Sequence, residues 1–360
     1  MDVIDADGHI EESPAMFELI EEKYRARRPL PLGLDRDTVY GANNAVWLID
    51  GKVYPKLVGK GGVIFRTPTL MESARQKHES IPAQELTDVA ARLKDLDKMG
   101  IDKQVVYPSL FLSTTTDDVE LEAALLRAYN SFLGNVYTRS GGRIMFAALL
   151  PIRDLPGAIS ELKRAKGIGA ASVMLHGLAW DKPVLGHPTL FPLYEEAARL
   201  DLPVCVHLGW GSPEHTEIFD ARTNFYSAIL PVLMGFFSLM TAGVMEAFPR
   251  LKLAFLESGC FWLPFVMRQV KTNPGRQGNS TDPAKYFREG RAFVGCEADE
   301  DLNYIASWIG EDGLVTGSDY PHGDPSRQED MVKELNERED ISPRLREKIL
   351  SDNPRRLYGL

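Results

Sequence analysis

Eight short apolar runs, each stopping at or beside a polar or ionisable residue and most followed by helical spacing, restrict this chain more than any other feature in it. They open at Val3, Gln104, Ile144, Ala171, Leu202, Lys252, Ala292 and Leu314. Between them lie helical patterns such as Leu86, Val89, Ala90, Leu93, Leu96 and Met99, closed by Gly100. Further helical stretches are expected over 119–138, 155–165, 190–200, 226–248, 301–309 and 328–357. Strands alternating with helices imply a parallel sheet with right-handed crossovers. Eight such units predict a closed (β/α)8 TIM barrel, with a doubly wound sheet as the competing arrangement. A length of 360 residues suits one barrel domain spanning 1–360.

Residues 13–84 do not follow that rhythm and read as an insertion after the first strand. Val46–Ile49 and Lys52–Tyr54 are short β-like runs around Asp50-Gly51, a dipeptide that suits a tight hairpin turn. Lys60-Gly61-Gly62 and Arg66-Thr67-Pro68 read as loop. A segment this long, carrying Trp47, Tyr54 and Phe65, is expected to be a lid or a subunit contact.

The ends of the runs carry the chemistry. In order they hold Asp7 with His9, Ser109, His176, His207, Glu257, Glu297 and Asp319. A strand points alternate residues to one face, so Asp5, Asp7 and His9 are expected to share one. In a barrel all strand C-termini meet at one rim, where barrel active sites form. Several imidazoles and carboxylates converging there are costly unless a bound cation supplies the missing charge. Each residue alone has an ordinary alternative: His207 as a core histidine, Asp319 as a turn cap, His176 as a loop residue, Glu257 and Glu297 as hydrogen-bond acceptors. The joint placement favours a divalent metal site.

A net charge of -10 argues against a nucleic-acid groove or a polybasic membrane patch. No apolar run approaches the ~20 residues of a membrane helix, and a first strand opening at residue 3 leaves no room for a signal peptide. Cys205, Cys260 and Cys296 lack CxxC spacing and read as reduced core residues of a cytoplasmic protein. A small-molecule substrate and a homodimer or larger homo-oligomer are expected.

The motifs Ile4-Asp5-Ala6-Asp7-Gly8-His9, Pro203-Val204-Cys205-Val206-His207, Thr316-Gly317-Ser318-Asp319-Tyr320-Pro321-His322 and Asn353-Pro354-Arg355-Arg356-Leu357-Tyr358 resemble the amidohydrolase superfamily over nearly the whole chain. Within it they are most similar to the aminocarboxymuconate-semialdehyde decarboxylase-like branch. The resemblance implies metal ligands at Asp7, His9, His207 and Asp319, Asp7 standing where many members have histidine. No lysine ends the fourth strand, so it implies one ion, with zinc expected first and manganese or iron as alternatives. Asp319, Glu257, His176 and His322 are the expected catalytic residues. Family decarboxylases tend to place a histidine where this chain has Glu257. The leading expectation is therefore hydrolysis of a small amide or ester by metal-activated water. Non-oxidative decarboxylation of an aromatic or unsaturated acid is the alternative.

Overall fold

The computed structural model describes residues 1–33, 45–55, 80–178, 182–210, 217, 224–273, 282–322, 328 and 330–360. The eight expected strands are β1 (Ile4–Ile10), β5 (Lys103–Pro108), β6 (Ile144–Leu149), β7 (Ala170–His176), β8 (Val204–His207), β9 (Leu253–Leu256), β10 (Ala292–Gly295) and β11 (Leu314–Val315). They form one parallel sheet in chain order, β1-β5-β6-β7-β8-β9-β10-β11. The sheet closes on itself: Ala6 donates its amide to Thr316 (3.1 Å), and Asp319 donates to Asp7 (2.9 Å). The architecture is the (β/α)8 barrel. Its strands are buried over nearly their whole length, as helices on the outside and side chains within require.

Helix starts follow local chemistry. Asp88 caps Val89–Met99 and Asp118 caps Val119–Arg139 through side-chain oxygens on first-turn amides, and Gly100 ends the former at φ 73°. Where boundaries depart from the sequence reading, the backbone explains it. The fifth barrel strand begins at Val204 rather than Leu202, after Pro203, which has no N–H to give a ladder. The expected helix over 226–248 divides into Asn224–Thr241 and Val244–Ala247 at Gly243, which has φ 70°. The final region is a series of short helices, Met331–Glu337 and Pro343–Glu347 among them. The last, Asn353–Tyr358, secures the seam: Asn353 Nδ2 donates to the Leu314 carbonyl and the Tyr358 hydroxyl to the Ala6 carbonyl.

Between β1 and β5 lies a separate antiparallel sheet of β2 (Leu30–Gly33), β3 (Ala45–Ile49) and β4 (Lys52–Tyr54). The expected hairpin is present, with Asp50 at φ 49° and Gly51 at φ 76°, both left-handed as this turn demands. β2 adds a third strand that the sequence reading does not contain. Trp47 is core here, packed edge-on against Phe17 with centroids 5.6 Å apart. Phe65 and the loops read at 60–68 lie outside the described residues. No described helix is long and apolar enough to cross a membrane.

Candidate metal centre

Strand β1 does not keep a plain alternation. Its register against β5 slips between Asp5 and Gly8, leaving one extra residue in β1. Asp5 therefore parts from Asp7 and His9, against the expectation that all three share a face. Its carboxylate accepts from Gln104 Nε2 (2.6 Å), the Ser318 amide (2.9 Å) and the Ser318 hydroxyl (2.6 Å). Burial raises its pKa, and these hydrogen bonds oppose that rise. Gln104 in turn accepts from Arg92 Nε (3.0 Å). Arg92, fully buried, also donates from Nη2 to the carbonyls of His9 (2.7 Å) and Tyr320 (3.0 Å). Burial depresses its pKa to about 10, so it remains a cation at neutral pH. This chain of contacts ties β1 to the segment after β11 directly behind the cluster. The sequence reading misses it, because Arg92 sits in a helical pattern where arginine reads as solvent-facing.

In front of that network, Asp7, His9, His207 and Glu257 bring one ligand atom each within 4.8 Å of one another. His9, Glu257, Asp319 and His322 form an overlapping group at the same limit. His9 Nε2 lies 3.6 Å from Asp7 Oδ1, 3.2 Å from Glu257 Oε2 and 3.3 Å from Asp319 Oδ1. His207 Nε2 lies 3.0 Å from Asp7 Oδ1 and 3.3 Å from Glu257 Oε2. Three of the expected ligands, Asp7, His9 and His207, thus meet with Glu257, and Asp319 joins through His9 and Glu257 in the overlapping group. Close approach is permitted by Gly317, where a Cβ would stand 2.4 Å from the Cβ of Asp7. Glu257 and Asp319 both hold left-handed backbone, at φ 51° and 54°, a conformation costly to non-glycine residues and found at sites that need it.

Proton bookkeeping shows what the cluster is built to hold. His9 Nδ1 faces the Pro108 carbonyl at 2.9 Å, and His207 Nδ1 faces the Leu208 carbonyl at 2.9 Å. A carbonyl only accepts, so each Nδ1 carries a proton and Nε2 is the atom each ring turns to the cluster, that of His207 meeting Asp7 Oδ1 at 3.0 Å. Burial pushes the His9 pKa well below its ordinary value, and the charges of His322 and His207 push it the same way. The His9 Nε2 lone pair facing Asp7, Glu257 and Asp319 is repulsive, and this nitrogen makes no hydrogen bond among the described residues. A divalent cation resolves that arrangement, and the carbonyl-anchored imidazoles are in the tautomer a metal ligand needs. The residues fit such an ion.

His322 stands at the edge of the cluster, its ring 3.9 Å from that of His9, centroid to centroid. Its Nδ1 is 2.8 Å from Asp319 Oδ1 and its Nε2 is 2.6 Å from Ser109 Oγ. Ser109 Oγ already donates to the Ile10 carbonyl (2.8 Å), so it accepts from His322 Nε2–H. Ser109 and Leu110 are fixed by their amides, which donate to Glu12 at 3.1 and 2.7 Å. Burial pushes the Glu12 carboxyl up to about 8. Neither Glu12 nor Ser109 stood among the expected catalytic residues, though Ser109 ends a barrel strand. His176 goes elsewhere: its Nε2 lies 3.0 Å from the Phe111 carbonyl, and it belongs to neither ligand group. It is set by Gly177, where a Cβ would fall 1.8 Å from the Pro231 carbonyl. A narrow opening beside the cluster is lined by Asp7, Glu257, Glu297 and Asp319 together with Cys296 and Gln328.

The chain belongs to the amidohydrolase family, whose sequence profile matches residues 78–360. It is 24% identical over 296 residues to a 2-amino-3-carboxymuconate-6-semialdehyde decarboxylase of Dictyostelium discoideum, covering 76% of this chain and 77% of that one. Among solved structures it is similar to an amidohydrolase of Mycobacterium avium subsp. paratuberculosis, with a TM-score of 0.79, 21% identity and 99% of each chain covered. It is also similar to a dihydroxybenzoic acid decarboxylase of Polaromonas sp. with bound manganese and 2-nitroresorcinol. There the TM-score is 0.62 at 19% identity, over 75% of this chain and 85% of that one.

Proposed function

We propose that this amidohydrolase-family enzyme is a metal-dependent, non-oxidative carboxy-lyase acting on an aromatic or unsaturated carboxylic acid. The observation that carries the reading is the cluster itself: imidazoles and carboxylates arranged for one ion, beside a histidine held between a ligand and a hydroxyl. A curated decarboxylase relative favours lysis over the hydrolysis expected first from the sequence. Asp7, His9, His207, Glu257 and Asp319 would hold a divalent ion, which when bound would supply Lewis-acid stabilisation of the negative charge on an acid substrate.

The protein's own groups supply the proton. Loss of carbon dioxide breaks a carbon–carbon bond and leaves the electron pair on the ring carbon, which must then be protonated. His322 keeps its Nε2 proton on Ser109 and shares a second proton with Asp319 across 2.8 Å. Delivery through Asp319 to the carbon returns His322 to the neutral form already aligned for reprotonation. Arg92 and Gln104 hold the ligand-bearing backbones still while this happens.

The carboxylate wall formed by Glu257, Glu297, Asp7 and Asp319 favours a second reading, hydrolysis of a neutral amide or ester, because those groups repel an acid unless an ion faces them. Product analysis separates the two: incubate the metal-loaded enzyme with hydroxybenzoates, amides and lactones and follow carbon dioxide. Release from an acid supports the lyase; a new amine or alcohol with no carbon dioxide replaces it with the hydrolase. Zinc or manganese both suit the mixed ligand set. A cytoplasmic homodimer or larger homo-oligomer stays part of the proposal, checked by sedimentation. The sheet within 13–84 is read as a lid or subunit contact, since Lys52 and Tyr54 reach Asp117 and Ser113 on the loop after β5.

A further inference from the structure

A second pocket opens past the ends of β5, β6 and β7 and has no part in the reaction above. None of the cluster ligands lines it. His176, which does, pairs in register with His207 across β7 and β8, so the pocket sits one strand over from the cluster. Its floor is buried and apolar, with Phe111, Leu149 and Met174. Into this setting projects Lys182, whose side chain is only 7% exposed. Its ammonium lies 3.3 Å from Glu122 Oε1 and 3.3 Å from Thr114 Oγ1. Glu122 gives its other oxygen to Arg153 Nε at 2.8 Å, so one carboxylate is divided between two cationic side chains.

An ammonium offers three donors, and among the described residues Lys182 reaches two acceptors, both at long range. Burying a cation in an apolar wall is costly without strong partners. Small-molecule sites pair an apolar lining with a few placed polar groups, as this pocket does. We infer that this pocket binds the carboxylate of an organic acid at Lys182 and Thr114, with the acid's carbon body lying on the apolar floor. It is a site for an anion distinct from the metal cluster. Its existence does not depend on the carboxy-lyase reading.

The test uses the metal-loaded wild-type protein with 4-bromobenzoate, locating bromine by anomalous diffraction and measuring affinity by calorimetry. Bromine over Phe111 and Met174, with the carboxylate on Lys182, is the expected result. Lys182→Met should weaken benzoate about tenfold or more while leaving affinity for neutral benzamide and metal content unchanged. Should that variant fail to fold, Thr114→Val should still weaken benzoate more than benzamide. Bromine only at the cluster, no binding at saturating acid, or equal losses for benzoate and benzamide would each overturn the site. Failure of the enzyme to release carbon dioxide from any acid overturns the lyase reading alone, because benzoate binding here is read without turnover.

Discussion

The seam where β1 meets β11 and the small sheet inserted after β1 are held to the barrel by opposite means. The seam is buried and made of backbone bonds and charge-assisted contacts: Arg92, Gln104, Asp5 and Ser318 are all fully buried. The inserted sheet is fastened by its middle strand β3, where Val46, Trp47 and Ile49 are buried, and at its edges by rim ion pairs. Arg27 reaches Asp50 and Asp118, and Lys52 reaches Asp117, with side chains between about a quarter and nine-tenths exposed. Exposed pairs are worth ~0–1 kcal/mol each, whereas breaking a buried charged network costs about 3–5 kcal/mol. The difference teaches where precision is needed. Ligands that share one ion must be placed to a fraction of an ångström, so they ride on strands locked from behind; a cover over the rim can be looser.

The largest contrast should come from the cluster. His207→Ala removes a ligand and should lower metal affinity and turnover by ~10² or more, with the fold retained by circular dichroism. Arg92→Leu should follow. It strips donors from the His9 and Tyr320 carbonyls and from Gln104, and should cost about 3–5 kcal/mol in denaturant unfolding with a ~10–100-fold loss of metal affinity. If Arg92→Leu left metal affinity untouched, the seam would be scaffold only.

Glu12 sharpens the comparison through pH. Its carboxyl is raised from 4.5 to about 8 by burial, so the folded chain holds a proton that the unfolded chain has lost. That contribution is fully present below about 4.5 and is lost as pH rises through about 8. Thermal unfolding should therefore show a stability decline across that window in wild type, and Glu12→Gln should flatten it. An unchanged slope would mean that Glu12 ionises freely in the fold. The smallest effect belongs to the rim: Arg27→Ala should change stability by no more than ~1 kcal/mol. A loss as large as that of Arg92→Leu would erase the distinction between the two regions.

What could be read from the sequence divides along the same line. The strands and their terminal residues are local: β-branched runs ending in Asp7-Gly8-His9, His207 or Asp319 declare themselves within a few residues. The Asp50-Gly51 hairpin is local too. The seam network is not. Arg92, Gln104 and Ser318 come from a helix, a strand and a loop, and only the closed ring brings them to Asp5. The slip in β1 could not be foreseen either, since a bulge is set by the partner strand's register. β2 was hidden because Leu30-Pro31-Leu32-Gly33 is short and mostly exposed, with proline and glycine where strand signals are sought. His176 was drawn to the cluster by its place at a strand end, while its ring turns to the Phe111 carbonyl of the neighbouring pocket.

The central claim is that the converged imidazoles and carboxylates exist to hold one divalent ion. Metal analysis of the purified protein, with anomalous diffraction at the absorption edge of the metal found, tests it directly. One ion per chain, bonded to His9 Nε2 and His207 Nε2 at about 2.0–2.3 Å with carboxylate oxygens of Asp7, Glu257 or Asp319 completing the set, is the predicted result. A chain that retains no ion after exposure to zinc and manganese, or that holds its ion away from these two nitrogens, would contradict it.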